Sequence, residues 1–138
     1  RLDRGVKKAK KYTLLCYGDT LLDINIDKLI NFHLKNKNKS TMSIFQNKIN
    51  FGIVKFNSNN LITKFDEKPN LNLWINVGYF IFETKKLEMY CHKFNTFQNF
   101  LKNLGNIKKI KAFKHKSKHI TINSSLELQN ARREIKNF

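Results

Sequence analysis

Ten consecutive residues, Leu73–Phe82, form an apolar run interrupted only by Asn76 and Gly78, and nothing else in the chain constrains the fold as much. Trp, Ile, Val, Tyr and Phe fill it, the residues that favour an extended backbone, so it reads as a long strand. A second apolar run, Thr13–Tyr17, shows no alternation and reads as a strand buried on both faces. It stops at Gly18-Asp19-Thr20, a strand-to-turn exit.

Between these runs the pattern changes period. Ile26, Leu29, Ile30 and His33 or Leu34 recur at helical spacing, and the Lys/Asn-rich stretch Lys35–Lys39 closes that helix. Thr41–Phe45 is another strand. Phe51–Phe56 and Leu61–Phe65 flank Asn57-Ser58-Asn59-Asn60 and read as a hairpin. Leu87–Tyr90 and Phe97–Leu104 are short helices, the second ending at Gly105. Ile107–Phe113 alternates Lys with apolar residues like an edge strand, and His119–Ile122 is one more short strand. Ser124 or Ser125 caps a last helix with Glu127 in its first turn. The expectation is a mixed α/β protein with a Rossmann-like sheet and a small β-rich extension.

A length of 138 residues suits one domain with a modest core. No apolar run approaches a membrane span, and no signal peptide opens the sequence. Cys16 and Cys91 are too few for a disulfide framework and read as reduced, cytoplasmic thiols. The net charge of +17 would ordinarily suggest nucleic acid. All but four of the 27 basic residues are Lys, however, spread among many Asn, Ile and Phe, as AT-rich codons would give. The exceptions are Arg1, Arg4, Arg132 and Arg133. The reading is therefore against a nucleic-acid partner and against a membrane. Arg1 lies inside a charged, helix-like stretch, Arg1–Lys11, which points to an N-terminally incomplete chain.

Several polar residues sit near the ends of the apolar runs. Asp19 suits a Mg²⁺ ligand or a turn aspartate bonding its own backbone. Glu67 and Lys68, in Phe65-Asp66-Glu67-Lys68-Pro69, suit a sugar hydroxyl and a phosphate, or a solvated surface pair. Asn76 is an amide in an apolar strand and needs a partner, from a ligand or from the backbone. Gly52 and Gly78 mark bulges or a close approach of ligand to backbone. Cys91-His92, His115 and His119 are too scattered for a zinc site. Strand ends of open α/β sheets are where ligands bind.

These segments, in this order, resemble the nucleotidyltransferases that activate sugar 1-phosphates, with the strongest likeness to the glucose-1-phosphate cytidylyltransferases. The resemblance runs through almost the whole chain. Arg1-Leu2-Asp3-Arg4 looks like the continuation of the family's Thr-Gly-Gly-Arg segment. Tyr17-Gly18-Asp19 with Leu29-Ile30-Asn31-Phe32-His33 is similar to its Gly-Asp strand and following helix. Glu67-Lys68-Pro69 and Trp74-Ile75-Asn76-Val77-Gly78-Tyr79-Phe80 resemble its most specific motifs. Ala112-Phe113-Lys114-His115 through Asn123-Ser124 is colinear with its closing segment.

The resemblance implies roles. Asp19 and Asn123 would hold Mg²⁺, and Lys68 the sugar phosphate, with Asp19 and Lys68 the residues on which the chemistry depends. Glu67, Asn76, Gly78 and the backbone at Gly52 would hold the sugar. The substrates implied are a nucleoside triphosphate, CTP first, and a sugar 1-phosphate, and the full-length protein is expected to be a homo-oligomer. Residues 1–138 would be the C-terminal part of one nucleotidyltransferase domain. Two departures stand out. The family's Gly-rich donor loop is not among these residues, and Asn123 stands where the family has Asp. Both leave open a non-catalytic, sugar-phosphate-binding relative.

Overall fold

The structure is a computed structural model that describes residues 5–37, 39–46, 50–69 and 73–137. Residues 1–4, expected to begin a basic helix, lie outside the described residues. The elements run β1 (Tyr12–Cys16), β2 (Thr20–Leu22), α1 (Ile26–Lys35), β3 (Ser40–Gln46), β4 (Ile53–Phe56), β5 (Ile62–Asp66) and β6 (Trp74–Glu83). They continue with α2 (Thr84–Lys93), α3 (Phe97–Asn106), β7 (Ile110–His115), β8 (His119–Thr121) and α4 (Ser125–Glu134), which ends in a 3₁₀ turn. The mixed α/β fold expected from the sequence is the fold observed.

The apolar run around Asn76 is the centre of the main sheet, whose order is β1-β6-β3-β7. β6 pairs antiparallel with both β1 and β3, and β7 lies parallel to β3. Each face of β6 meets different helices. On one, Phe80 and Phe82 pack with Leu87, Phe100 and Leu104 of α2 and α3, and Val6 closes the cluster. Edge-on rings recur there, with Phe80 and Phe97 at 5.2 Å between centroids. On the other, α1 covers the sheet. Its buried His33 lies 3.0 Å from the Thr41 hydroxyl, and Phe32 meets Phe113 at 5.4 Å. Burial, with the ammonium of Lys86 nearby, pushes the His33 pKa down against a smaller opposing pull from Glu83.

β1 departs from its expected environment. It is a flanking strand, not a central one, and its residues alternate between exposed and half-buried. Thr13 and Leu15 face the α2–α3 side, where the Thr13 and Thr84 hydroxyls lie 3.0 Å apart. Tyr12 meets His33 of α1, but Leu14 beyond it remains 43% exposed. The run is uniformly apolar, yet α1 reaches only its beginning.

Strand β6 also carries an irregularity. Phe80 pairs with Met42 and Asn76 with Ile44, so Val77, Gly78 and Tyr79 oppose the single residue Ser43. Such a bulge re-aims side chains. Gly78 adopts φ +77° within it.

Two small ladders complete the fold. The β4–β5 hairpin turns through Asn57, whose side-chain oxygen accepts from the N–H groups of Asn59 and Leu61. It sets Val54 opposite Phe65 and Phe56 opposite Ile62, with Lys55 opposite Lys64. A slip at Thr63 puts both apolar pairs on one face and the lysines on the other. β2 pairs antiparallel with β8, about 100 residues later in the sequence. The sequence reading contained no strand at Thr20–Leu22.

The end of α3 is a further difference. Gly105 is inside the helix, and Lys108 takes the left-handed conformation at φ +53°. The N–H of Lys108 donates to the Gly105 carbonyl, and that of Lys109 to the Leu104 carbonyl, the paired bonds of a Schellman ending. A non-glycine residue there costs about 1–2 kcal/mol, partly offset by the greater unfolded-chain freedom of Gly. Lys108→Gly is therefore expected to stabilise the protein by about 0.5–1 kcal/mol, read as a higher melting temperature. A lower one would contradict the strain argument.

Candidate active site

The residues singled out in the sequence fall into two clusters. The first gathers around Tyr17, just past the end of β1. The Tyr17 N–H donates to the Gly78 carbonyl at 2.8 Å, extending the β1–β6 ladder by one bond. The Asn76 amide N–H donates to the Tyr17 hydroxyl at 3.3 Å, and the Gly78 N–H donates to the Asn76 side-chain oxygen at 2.9 Å. Of the two partners the sequence left open for Asn76, ligand or backbone, the backbone N–H of Gly78 is present, and the Tyr17 hydroxyl joins it. The bulge turns Asn76 outward, and its side chain is exposed and bonded within the protein. Gly78 is needed on two counts. Its φ favours glycine, and a Cβ there would lie 2.6 Å from the Tyr17 ring.

Two residues beyond Tyr17 stands Asp19, exposed, its carboxylate accepting the Thr20 hydroxyl at 3.2 Å. The β2–β8 ladder brings the far end of the chain beside it. The Ile122 N–H donates to the Asp19 carbonyl at 2.8 Å, so Asn123 follows directly on a residue bonded to Asp19. The Asn123 N–H is accepted by the Glu127 carboxylate, and the Ser124 hydroxyl accepts from the Glu127 N–H at 3.2 Å. Ser124 is therefore the N-cap of α4, and Asn123 precedes it. Further along, the Asp23 N–H donates to the Lys118 carbonyl, and the Ser117 hydroxyl to the Asp23 carboxylate at 2.6 Å. His119 of β8 lies against Phe45 at 5.2 Å, and burial, with His115 nearby, holds its pKa down.

The second cluster is the base of the hairpin. Ile53 pairs with Asp66, which puts Gly52 beside Glu67. A Cβ on Gly52 would meet the Phe65 ring at 2.7 Å and a Glu67 carboxylate oxygen at 3.0 Å. The Lys68 ammonium is 3.9 Å from Glu67 with both side chains exposed, a pair that by itself stabilises little. Its backbone is more telling. Lys68 has φ +45° and precedes Pro69, a position where Pro already restricts the preceding residue. Strain of this kind collects at ligand clamps.

Asp19 and Asn123 offer only oxygen, the donor that Mg²⁺ prefers, and Mg²⁺ is commonly held by one or two carboxylates together with substrate phosphates. Among the described residues no three of His, Cys, Asp and Glu gather as a metal cage. One carboxylate and one amide would suit only a cation that takes most of its coordination from phosphate and water. A concavity of about 500 Å³ lined by Lys11, Tyr12, His33, Lys39, Glu83 and Lys86 lies at the opposite end of β1. None of Asp19, Gly52, Glu67, Lys68, Asn76, Gly78 and Asn123 lines it.

Sequence reasoning missed the part of Tyr17. Its signal was present, because a tyrosine closing an apolar strand needs a partner for its hydroxyl. It also missed Glu127 as the acceptor for the Asn123 N–H.

Comparison with known proteins bears on the same segments. The nucleotidyl transferase family matches residues 3–123. The chain is 32% identical over 103 residues to the glucose-1-phosphate adenylyltransferase of Mycoplasma mobile, covering 67% of this chain and 27% of that protein. The Bacillus subtilis protein of the same name is 32% identical over 87 residues, covering 58% and 23%. The chain thus spans about a quarter of the length of these curated relatives. A Bacillus anthracis crystal structure, described as a glucose-1-phosphate thymidylyltransferase in complex with sucrose, shares the fold. Its TM-score is 0.67 at 12% identity, and the match covers 99% of this chain and 58% of that one. Among the described residues no helix is long and apolar enough to cross a membrane. The family match extends over nearly the whole sequence, and the chain belongs to the nucleotidyl transferase family.

Proposed function

We propose that the full-length protein is a sugar-1-phosphate nucleotidyltransferase and that these residues carry the acceptor half of its site. The observation that carries this reading is the family match. It spans 3–123 and so includes Asp19, Gly52, Glu67, Lys68, Asn76, Gly78 and Asn123 together. In the reaction, an oxygen of the sugar phosphate attacks the α-phosphorus of a nucleoside triphosphate. A new P–O bond forms, the α–β bond breaks, and pyrophosphate leaves. Little covalent work falls to the protein, which positions two anions that repel each other. Lys68 holds the sugar phosphate, and Glu67, Asn76 and the backbone at Gly52 and Gly78 hold the sugar. Asp19 and Asn123 would hold Mg²⁺, which when bound would neutralise phosphate charge. This reading requires the two clusters to face one cleft.

The names of the curated relatives favour ATP as donor and glucose 1-phosphate as acceptor, in place of the CTP suggested by motif likeness. Asn123 favours a second reading, a non-catalytic sugar-phosphate-binding relative. Pyrophosphate release by the full-length protein with glucose 1-phosphate and ATP, CTP or dTTP decides between them. Release with none of the three would leave only the second.

Lys68 gives the sharper test. An ammonium facing a dianion is typically worth about 1.5–3 kcal/mol, or roughly 10- to 150-fold in affinity. Lys68→Ala is expected to raise the KM for the sugar phosphate by that factor and leave the nucleotide KM within about twofold. Lys68→Gly should do the same while raising the melting temperature, because it also relieves the left-handed backbone. Equal effects on both substrates would make Lys68 structural.

A further inference from the structure

The Asn76 side chain is exposed, and an exposed amide ordinarily turns freely about its last torsion. Here two bonds hold it. The Gly78 N–H donates to its oxygen at 2.9 Å, which fixes the oxygen toward the bulge. Its nitrogen donates to the Tyr17 hydroxyl at 3.3 Å. A primary amide has two N–H donors and two acceptor lone pairs, so one of each remains for a ligand. Tyr17 itself is anchored. Its ring packs against Phe80 at 5.5 Å and Phe97 at 6.4 Å, and its N–H is bonded to Gly78. The hydroxyl that meets Asn76 is therefore carried on a ring fixed by the core.

We infer that Tyr17 is the positioning residue for the acceptor sugar: its hydroxyl holds the Asn76 amide in one orientation, so that the remaining N–H and lone pair are set before the sugar arrives. This rests on the reading of Asn76 as a sugar-binding residue. A ligand that binds a free side chain must immobilise it, and a side chain held in advance spares that cost. The effect belongs to sugar binding and not to the chemical step. In this reading Tyr17 acts through Asn76, whose proposed partner is the sugar and not the nucleotide. The same hydroxyl, having accepted from Asn76, keeps its own proton for donation. A direct bond to the sugar is thus the competing role, and the experiment must separate the two.

The test is a double-mutant cycle in the full-length protein, following KM for glucose 1-phosphate, KM for the nucleotide and kcat. Tyr17→Phe removes the hydroxyl and keeps the ring that packs in the core and fills the space beside Gly78. It is expected to raise the sugar-phosphate KM by about 3- to 10-fold, with kcat, nucleotide KM and melting temperature little changed. In an Asn76→Ala background the same substitution is expected to have no further effect, because nothing is left to position. If Asn76→Ala raises the sugar-phosphate KM and Tyr17→Phe does not, the inference is wrong while the assignment of Asn76 stands. An equal Tyr17→Phe effect in both backgrounds would make Tyr17 a direct contact and overturn positioning. If Asn76→Ala itself leaves that KM unchanged, the sugar-binding reading of Asn76 fails and this inference fails with it.

Discussion

Asp19→Ala in the full-length protein is expected to lower kcat/KM for pyrophosphate release by about 10³-fold or more. Bound metal supplies several kcal/mol of charge stabilisation to a transferring phosphoryl group, and each 1.36 kcal/mol is about tenfold in rate. Asp19 is the one carboxylate in the proposed donor pair, since its companion Asn123 brings an amide oxygen without charge. The companion substitution runs the other way. Asn123→Asp adds a carboxylate, and hard cations respond to ligand charge, so the Mg²⁺ concentration for half-maximal rate should fall. Calorimetric titration of Mg²⁺ into the two proteins gives a readout independent of turnover. A mere capping role for Asn123 is not a rival, because the cap of α4 is Ser124. An unchanged Mg²⁺ midpoint in Asn123→Asp would take that residue out of the site. Substantial activity in Asp19→Ala would remove Asp19.

Gly78→Ala should be the most damaging single methyl in the molecule. A residue with a Cβ at φ +77° incurs the left-handed penalty of about 1–2 kcal/mol. The added carbon would also lie 2.6 Å from the Tyr17 ring, which packs against Phe80 and Phe97 and has little room to retreat. Overpacking of this kind costs about 1–3 kcal/mol more. The expected loss is therefore about 2–5 kcal/mol, a large fraction of a typical domain's stability. Chemical denaturation would show it as a lower midpoint at an unchanged slope. A loss below about 0.5 kcal/mol would mean that the bulge relaxes freely, and with it the orientation of Asn76.

How much of this was legible depended on the range of the interactions. The long strand through Asn76, helix α1, the hairpin around Asn57-Ser58-Asn59-Asn60 and the Ser124 cap were readable because each is specified by residues within a turn or two. β2 was not. Three residues, Thr20–Leu22, are too few to show a period, and their partner strand begins at His119. β1 misled for a related reason. Its apolar run fixes that it is a strand, but whether Leu14 is covered depends on how far α1 reaches across the sheet. Gly105 looked like a helix stop, yet the backbone turns at Lys108. At the site, the need of Asn76 for a partner was plain in the sequence. That the partner is Tyr17, 59 residues away, was not.

The β2–β8 ladder has a consequence for how the protein is made. Asp19 and Asn123 become neighbours only when segments about 100 residues apart close on each other, and forming so long a loop costs about 4 kcal/mol in chain entropy. On the ribosome, the sheet strands β1, β3 and β6 are all synthesised before β8, and they can pair while Asp19 still lacks its companion. The hairpin and bulge residues proposed to hold the sugar therefore precede the proposed cation pair in time. A nascent or C-terminally clipped chain that ends before Ile122 keeps the residues proposed to face the sugar and lacks the Asn123 oxygen proposed to join Asp19. Under the proposed assignments, the cation pair can form only after Asn123 has left the ribosome.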